Sequence, residues 1–360
     1  MAAVKVVIAG GGTGGHLYPG IALARAIQAR IPGSEIYFIG TKKGIESRIL
    51  PREGYPLKTI DVEGLVGKKW TDRVRSIFRF PLGLFQSFLF LKSYRPDLVV
   101  GVGGYASGPV LLTASLLGIR RVILEQNVIP GLTNRVLGRL VHKVFGAFDG
   151  SRDHFPPKKF FHSGNPVRKE IRSGREKMEK GNVILVFGGS QGAHAINSAV
   201  IDALPLIGRK EGFRWIHQTG PADLERVTAA YASLGIPARV EPFIFDMGTA
   251  YAEADLVICR AGATTLAELT ACGKPALLIP FPLAAHNHQE ENAFYLKKMG
   301  AAEVILQRDL SGKVLAGRVE AILYDPQRRS AMAARMRSLE KKEASETIIE
   351  ECLRTGLIHV

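Results

Sequence analysis

Cysteine is scarce in this chain, and the motifs that usually hold metal ions are missing. Its three cysteines, Cys259, Cys272 and Cys352, are odd in number and have no Cys-x-x-Cys spacing. This pattern excludes a disulfide framework and a cysteine zinc site, and predicts three buried reduced thiols. The sequence also contains no Asp-x-Asp pair and no His-Glu-x-x-His, and His286-Asn287-His288 fits a polar loop before a helix better than a metal site. We therefore expect no metal and no other cofactor.

Long hydrophobic runs and a nucleotide triphosphate loop are missing as well. The apolar residues 4–9 are too few for a signal peptide and run into glycines, so we expect a buried strand and no export. The uncharged residues 80–91 include Pro81 and Gly83 and fall short of the roughly 20 residues that a membrane-spanning helix needs. No Gly-x-x-x-x-Gly-Lys-Ser/Thr occurs, which makes ATP hydrolysis an unfavourable interpretation.

Acidic residues are few in the first half of the chain. Residues 1–163 hold 23 Lys plus Arg and 10 Asp plus Glu, whereas the remainder holds 25 and 23, so the first half carries +13 of the net +15. Such asymmetry indicates an anionic partner, which could be nucleic acid, an anionic membrane surface or a phosphorylated substrate. Composition alone does not choose among them.

Basic residues flank the uncharged stretch 80–91 on both sides. Aromatic and leucine side chains beside arginines suit the membrane interface, although a core helix with a charged cap fits the same residues. We predict that part of this stretch touches anionic lipid. The predicted contact residues are Arg75, Phe78, Arg79, Phe80, Leu84 and Phe85.

Four apolar runs each lead into a glycine-rich turn and then a helix-like segment. The runs are residues 4–9, 98–102, 183–187 and 256–259. Continuous β-branched runs that alternate with helices are typical of parallel strands covered on both faces. We therefore predict an α/β chain of two doubly wound, Rossmann-like domains facing each other across a cleft. The predicted divisions are residues 1–163, residues 164–340 and a C-terminal helix at 341–360 that packs back on the first domain.

The glycines in these turns favour a phosphorylated ligand, because main-chain N–H groups without a neighbouring Cβ can close on a phosphate at a helix N-terminus. Gly10, Gly12 and Gly15 also fit the dinucleotide pattern Gly-x-Gly-x-x-Gly. That alternative lacks its second signal, because the next predicted strand ends in Thr41, Lys42 and Lys43 where an acidic residue should hold the ribose.

Several motifs in this order resemble the MurG family of glycosyltransferases, family 28. They are residues 11–16 (GGTGGH), 125–127 (EQN), 164–168 (GNPVR), 188–193 (GGSQGA) and 261–268 (AGATTLAE). The resemblance covers nearly the whole chain and implies a GT-B fold. It also implies inverting, metal-independent transfer of N-acetylglucosamine from UDP-GlcNAc to the C4 hydroxyl of undecaprenyl-diphospho-N-acetylmuramoyl-pentapeptide (lipid I), which gives lipid II. The implied location is the cytoplasmic face of the cell membrane, with other proteins of wall synthesis or division as partners.

The same resemblance assigns roles to individual residues. Ser190 and its turn would hold the donor diphosphate, Glu268 would accept hydrogen bonds from the ribose, and Ile244 would present main-chain groups to uracil. The other implied UDP-GlcNAc contacts are Thr13, Gly14, Gly15, Asn127, Arg168, Gln191, Ala263, Thr264, Gln289 and Asn292. Gln289 is followed by Glu290 where many relatives carry a second glutamine, which leaves the role of Glu290 open.

His16 closes the first glycine turn and is the candidate general base, since an unperturbed histidine pKa of about 6.5 suits proton removal from the acceptor hydroxyl. It could equally hydrogen-bond the acceptor diphosphate or the turn itself. Two other classes stay open beside a transferase. A sugar-nucleotide epimerase could share the architecture but needs no basic, lipid-seeking domain, and a nucleic-acid-binding protein would need base-stacking motifs that do not accompany the basic residues.

Overall fold

The structure is a computed structural model that describes residues 3–42, 44–62, 70–172, 182–207, 212–284 and 287–359, with the backbone alone for residues 70–79. The chain divides into two compact units. Unit 1 comprises Met1–Arg168 and Lys341–Val360, and unit 2 comprises Lys169–Glu340. Within the described residues, no helix has both the length and the apolar character needed to cross a membrane.

Strands and α-helices largely alternate up to the last described strand, after which three α-helices follow in succession. The strands are β1 (Lys5–Gly10), β2 (Glu35–Gly40), β3 (Leu57–Thr59), β4 (Leu98–Gly103), β5 (Arg120–Glu125), β6 (Lys143–Gly146), β7 (Phe160–His162), β8 (Asn182–Phe187), β9 (Phe213–Gln218), β10 (Ala238–Glu241), β11 (Leu256–Cys259), β12 (Ala276–Leu278) and β13 (Ala302–Val304). The helices are α1 (Gly14–Arg30), α2 (Glu46–Ile49), α3 (Trp70–Tyr94), α4 (Ser107–Leu116), α5 (Leu132–Leu137), α6 (Lys169–Arg172), α7 (His194–Ala203), α8 (Leu224–Ser233), α9 (Met247–Glu253), α10 (Ala263–Cys272), α11 (His288–Lys298), α12 (Gly312–Leu323), α13 (Pro326–Ser338) and α14 (Ala344–Arg354).

Unit 1 is built on a parallel sheet whose described strands follow the order β3-β2-β1-β4-β5-β6-β7. Side chains of β1 alternate between two cores: Val6 and Ile8 pack on one side, and Val7 and Ala9 on the other. Because successive side chains point to opposite faces, a strand buried on both faces must be apolar throughout, which explains its unbroken hydrophobic run.

Helices cover both faces of the unit 1 sheet. Residues of α1 and α14 belong to the core that contains Ile8, and residues of α3, α4 and α5 belong to the core that contains Val7. The uncharged stretch 80–91 therefore lies inside a single helix, α3, which continues through Pro81. Its buried side includes Leu91, while Phe80, Leu82, Phe85 and Leu89 are exposed.

Unit 2 repeats the arrangement with the described strand order β10-β9-β8-β11-β12-β13, again with parallel pairing. Ile184 and Val186 of β8 pack against α7 and α12 through residues such as Val200 and Val319. The two sheets confirm the predicted α/β class with two doubly wound domains, because each sheet reverses its strand order beside its first strand, as Rossmann-like sheets do.

The last two described helices, α13 and α14, belong to different units. Within unit 1, α14 contributes Ile348, Ile349 and Cys352 to the core. A Cβ at Gly164, where φ is +81°, would lie 2.3 Å from the Cβ of Lys341, so glycine is required where the returning segment meets the first. Observed unit 1 thus extends five residues beyond the expected boundary at 163 and includes Lys341–Val360.

Candidate functional site

The glycine turns follow the strands that flank each point where a sheet reverses its order. In unit 1 these strands are the neighbours β1 and β4, and in unit 2 they are the neighbours β8 and β11. In open parallel sheets, ligands bind beyond the carboxyl ends of the strands at such points. The helices that follow the four turns, α1, α4, α7 and α10, begin without a side-chain N-cap. Main-chain N–H groups at such ends suit an anionic group.

In unit 1 the turns after β1 and β4 pack backbone against backbone. A Cβ at Gly10 would lie 2.2 Å from the carbonyl oxygen of Gly103, and one at Gly104 would lie 2.4 Å from that of Gly11. Ser107 links the two strands at this point. Its hydroxyl accepts from the Gly103 N–H at 3.0 Å and donates to the Ala9 carbonyl oxygen at 2.6 Å. Larger residues would therefore separate the two turns.

A buried carboxylate holds the first turn. Glu46 is fully buried, and its side chain accepts hydrogen bonds from the Gly12 N–H at 2.7 Å and the Thr41 N–H at 2.8 Å. A Cβ at Gly11 or Gly44 would lie 2.6 Å or less from this carboxyl group. One N–H of the Gly-x-Gly-x-x-Gly turn is thus already used by a protein carboxylate, which argues against a dinucleotide in unit 1.

His16 is oriented by an amide. Its Nδ1 lies 3.1 Å from Oε1 of Gln126, whose Nε2 donates to the carbonyl oxygens of Val102 and Leu124 at 3.0 and 3.2 Å. Because the amide nitrogen donates to two carbonyl oxygens, the amide oxygen faces His16 and Nδ1 must carry the proton. In the neutral ring, Nε2 is then the basic nitrogen. This tautomer is the one that a general base needs.

The other sequence-predicted residues of unit 1 lie on α1 or directly before it, in the loop after β5, and at the end of the unit's first segment. Thr13 is exposed at the N-terminus of α1, and Gly14 and Gly15 form the start of that helix. Asn127 is mostly buried and donates from its main chain to Glu125 at 2.9 Å. The guanidinium of Arg168 stacks on the ring of Tyr18 of α1, with its central carbon 4.2 Å from the ring centroid.

Glu125 organises the loop after β5. Its carboxyl group accepts four hydrogen bonds, three from Asn127 and Gly131 in this loop and one from Asn134 of α5. Complete burial raises the pKa of Glu125, and these hydrogen bonds oppose the rise. The carboxyl group therefore acts in building the loop that carries Gln126 and Asn127.

In unit 2 the turn at residues 188–193 exposes Ser190 and Gln191. It packs against a second turn after β9, because a Cβ at Gly192 would lie 1.9 Å from the Thr219 carbonyl oxygen and one at Gly220 would lie 2.1 Å from that of Gln191. Both glycines have positive φ, +76° and +77°. The turn can therefore present Ser190 and main-chain N–H groups to a phosphate only while these glycines are kept.

Ile244 lies in the loop between β10 and α9 and is buried. Its N–H donates to Oε1 of Gln218 at 2.8 Å, and Nε2 of Gln218 donates to the Gly189 carbonyl oxygen at 2.8 Å. Of the two main-chain groups expected to face uracil, the N–H is thus engaged within the protein, and the carbonyl is the group that suits uracil N3–H.

Glu268 lies on α10, the helix that begins with Ala263 and Thr264. It is mostly buried, and Tyr251 donates its hydroxyl to Oε2 of Glu268 at 3.1 Å. Burial first, and the neighbouring carboxylate second, raise the pKa of Tyr251 well above its usual value, so the phenol stays protonated and keeps donating. This hydrogen bond fixes the direction of the carboxylate.

Gln289 and Asn292 hold α11 in place. The Gln289 side chain accepts the Phe281 N–H at 3.0 Å, and the fully buried Asn292 donates to the Ala261 carbonyl oxygen at 3.3 Å. Glu290 accepts from the Asn287 side chain at 2.9 Å and so has a partner near the helix start. Through its hydrogen bond to the Ala261 carbonyl oxygen, Asn292 holds the turn before α10.

Three of the six residues predicted to contact the membrane have described side chains. Phe80 and Phe85 are 42% and 58% exposed, and Leu84 is half-buried. Arg75, Phe78 and Arg79 lie on α3, and their side chains fall outside the described residues. Other exposed apolar residues lie on three helices: Leu82 and Leu89 on α3, Leu116 on α4, Leu132 and Val136 on α5, with Leu140 just beyond α5.

Sequence reasoning missed four positioning side chains: Glu46, Gln126, Gln218 and Tyr251. Gln126 and Gln218 had a detectable signal, since each is an amide at or directly after the carboxyl end of a partly apolar run, and these runs form the parallel strands β5 and β9. Glu46 and Tyr251 had none, because they reach their partners only through the fold. Within the described residues, no group of three or more His, Cys, Asp or Glu side chains could hold a metal ion.

Two family models match the chain in succession. The glycosyltransferase family 28 N-terminal domain matches residues 6–146, and the family 28 C-terminal domain matches residues 183–348. These matches correspond to the two sheets described above.

Two curated relatives carry the same name, UDP-N-acetylglucosamine–N-acetylmuramyl-(pentapeptide) pyrophosphoryl-undecaprenol N-acetylglucosamine transferase. The protein of Anaeromyxobacter sp. (strain Fw109-5) is 49% identical over 97% of this chain and 93% of its own length. The protein of Syntrophus aciditrophicus (strain SB) is 48% identical over 97% of this chain and 98% of its own length.

Among solved structures, MurG of Acinetobacter baumannii superimposes with a TM-score of 0.79 and 32% identity, over 98% of this chain and 99% of its own. A UDP-N-acetylglucosamine 2-epimerase has a TM-score of 0.65 at 14% identity, over 99% of this chain and 98% of its own. This is a likeness of fold alone. The fold is GT-B, as the resemblance implied. With both halves matched and near 50% identity along its length, the chain belongs to glycosyltransferase family 28.

Proposed function

We propose that this protein transfers N-acetylglucosamine from UDP-GlcNAc to the C4 hydroxyl of lipid I, giving lipid II and UDP for peptidoglycan synthesis. The observation that carries the proposal is the 49% identity with a transferase of that name over 97% of this chain. The paired glycine turns at both switch points support it independently, because both substrates carry diphosphates.

Unit 2 binds the donor. Ser190, Gln191 and the N-termini of α7 and α10, including Ala263 and Thr264, face the diphosphate, and the Ile244 carbonyl accepts from uracil. Glu268 accepts from the ribose hydroxyls, supported by its fixed orientation on Tyr251. Gln289 completes the pocket, and Asn292 acts through the turn that it holds.

Unit 1 binds the acceptor and removes its proton. The turns after β1 and β4 accommodate the acceptor diphosphate, and Nε2 of His16 takes the proton of the attacking hydroxyl, supported by the tautomer that Gln126 imposes. Thr13, Gly14, Gly15, Asn127 and Arg168 lie in the same unit and remain proposed contacts of the donor sugar.

The reaction is a single displacement with inversion. The acceptor oxygen attacks the anomeric carbon as the bond to the diphosphate breaks, and the departing UDP carries the negative charge. Helix N-termini and main-chain N–H groups of unit 2 meet that charge, as preorganised dipoles do in other transfer reactions.

Unit 1 docks on an anionic membrane surface, on the cytoplasmic side where its nucleotide donor is found. The exposed apolar residues of α3, α4 and α5 surround the same core as Leu91, Val110 and Leu137, so they belong to one side of the sheet. The exposed Arg135 and Arg139 lie beside Leu132 and Val136 on and after α5. Apolar residues that insert and basic residues that pair with headgroups favour such a surface over nucleic acid. Partners in wall synthesis or division would meet the protein there.

The purified protein, incubated with UDP-GlcNAc in the presence and absence of lipid I, tests the activity. We expect UDP and lipid II only when both substrates are present. Conversion of UDP-GlcNAc alone into its C2 epimer, with lipid I unchanged, would instead favour the epimerase alternative whose fold is shared.

A further inference from the structure

Gln218 ends the strand β9 and uses both ends of its side chain. It is 4% exposed, its Nε2 donates to the Gly189 carbonyl oxygen at 2.8 Å, and its Oε1 accepts the Ile244 N–H at 2.8 Å. Both are short, well-formed hydrogen bonds inside the protein. Neither is part of a helix or of the sheet.

The two partners belong to different loops. Gly189 lies in the turn after β8, and Ile244 lies in the loop after β10. In the sheet, β9 stands between β8 and β10, so Gln218 extends from the middle strand and joins the loops of both neighbours. A primary amide suits this position, because it donates at one end and accepts at the other.

We propose that Gln218 is a positioning residue that couples the diphosphate-binding turn of the donor site to its base-binding loop, an inference that rests on the proposed function. The Gly189 carbonyl precedes Ser190, and the Ile244 N–H belongs to the peptide group on its amino side. One amide therefore sets the spacing between the places where uracil and the diphosphate bind. A ligand that spans both places gains from this fixed spacing, whereas a ligand that occupies only one gains less.

Three variants separate this role from general support of the sheet. Gln218→Met keeps the length of the side chain and removes both hydrogen bonds. Gln218→Glu keeps an acceptor for the Ile244 N–H but turns a carboxylate oxygen toward the Gly189 carbonyl. The control is Tyr231→Phe, which removes the 3.2 Å hydrogen bond between the buried Tyr231 and His217, the residue before Gln218. Tyr231 lies on α8 and so belongs to neither loop.

The measurement is calorimetric titration with UDP and with UMP, together with KM for UDP-GlcNAc and for the acceptor and with the melting temperature. For Gln218→Met we expect a loss of UDP affinity of about 10- to 100-fold. For Gln218→Glu we expect the dissociation constant of UMP divided by that of UDP to fall toward one. The carboxylate oxygen beside the Gly189 carbonyl should disturb the diphosphate-binding turn more than the base-binding loop. KM for the acceptor should not change, and Tyr231→Phe should lower the melting temperature without changing either affinity.

Equal UDP affinity in wild type and Gln218→Met would overturn the proposal. An equal loss of UMP and UDP affinity in Gln218→Glu would also overturn it, because it would show that Gln218 only supports the sheet in general. If one variant does not fold, the other still decides. Wild-type protein that binds neither UDP nor UDP-GlcNAc would instead contradict the proposed function itself, and the inference with it.

Discussion

At the scale of single residues, the proton on His16 is set by its neighbour. Gln126 accepts from Nδ1 because its own nitrogen donates to two carbonyl oxygens. We predict that His16→Ala lowers turnover by about 10²- to 10⁴-fold and removes the acidic limb of the pH–rate profile, while UDP-GlcNAc affinity stays nearly intact. Gln126→Leu should lower turnover less, because the ring loses its fixed tautomer but stays in place.

A pH–rate profile of both variants, measured beside donor titration, checks this assignment. A loss confined to KM for the acceptor, with the acidic limb still present, would assign His16 to binding the acceptor diphosphate. That is the alternative left open by the sequence.

Glu268 offers a second test at this scale. Glu268→Ala removes a charged acceptor from the ribose hydroxyls, and we expect UDP-GlcNAc affinity to fall by about 1.5–3 kcal/mol in calorimetry. Tyr251→Phe keeps the carboxylate but removes the hydrogen bond that directs it, so its effect should be smaller. Unchanged affinity in Glu268→Ala would show that the carboxylate serves only the protein interior.

At the scale of elements, α14 is joined to the rest of unit 1 by charge as well as by its apolar face. Glu351 receives hydrogen bonds from Arg354 and from Lys143 of β6, and these lower its pKa. A carboxyl group with a lowered pKa stabilises the fold above its unfolded pKa, about 4.3, and that contribution is lost as the pH falls through the folded value. We predict that Glu351→Gln lowers the free energy of unfolding by about 1–3 kcal/mol at pH 7.

The difference between wild type and Glu351→Gln should shrink as the pH falls below about 4.3, because the unfolded wild-type chain then binds a proton at Glu351, and it should vanish once the pH lies below the folded pKa. Denaturant unfolding of both proteins at pH 7 and pH 3 measures this difference in the free energy of unfolding. Glu350→Gln, at an exposed position of the same helix, is the control and should have little effect at either pH. A difference that does not depend on pH would contradict the ionic contribution.

The proposed membrane surface also belongs to this scale, since exposed apolar residues of α3, α4 and α5 would form it. We predict that the double variant Phe85→Asp and Leu89→Asp abolishes cosedimentation with anionic vesicles, because two exposed apolar side chains become charged. Leu234→Asp, at an exposed apolar position of unit 2, should bind as wild type does. Release of the wild type by salt is expected as well. Unchanged sedimentation of the double variant would locate the contact elsewhere.

The sequence predicted the elements that bear the turns, because a strand buried on both faces must be continuously apolar and a tight turn at its end must contain glycine. It could not predict the contacts that hold the turns. Glu46 reaches Gly12 from 34 residues away, and Tyr251 reaches Glu268 only because α9 and α10 meet in unit 2. The division at 163 was also placed five residues before the observed end of the first segment of unit 1, since Gly164 and Pro166 interrupt regular structure without ending the unit.

At the scale of the whole molecule, the uneven charge has a physical explanation in the division of labour that we propose. The basic first half makes up most of unit 1, which is proposed to meet both the membrane and a lipid diphosphate. The nearly balanced remainder contains unit 2, whose donor is proposed to be held by turns and helix N-termini more than by basic side chains. In this proposal, long-range attraction brings the enzyme to its acceptor, and short-range geometry selects its donor.

The most direct test of the account is the structure of the product. Purified protein is incubated with UDP-GlcNAc and lipid I in excess chelator, and the product is examined by NMR for the configuration and position of the new glycosidic bond. We expect N-acetylglucosamine in the β configuration on O4 of the muramoyl sugar, at an undiminished rate, because the donor is α-linked and the transfer inverts without a metal. An α-linked product, attachment at another oxygen, or activity that disappears with chelator and returns with Mg²⁺ would contradict it.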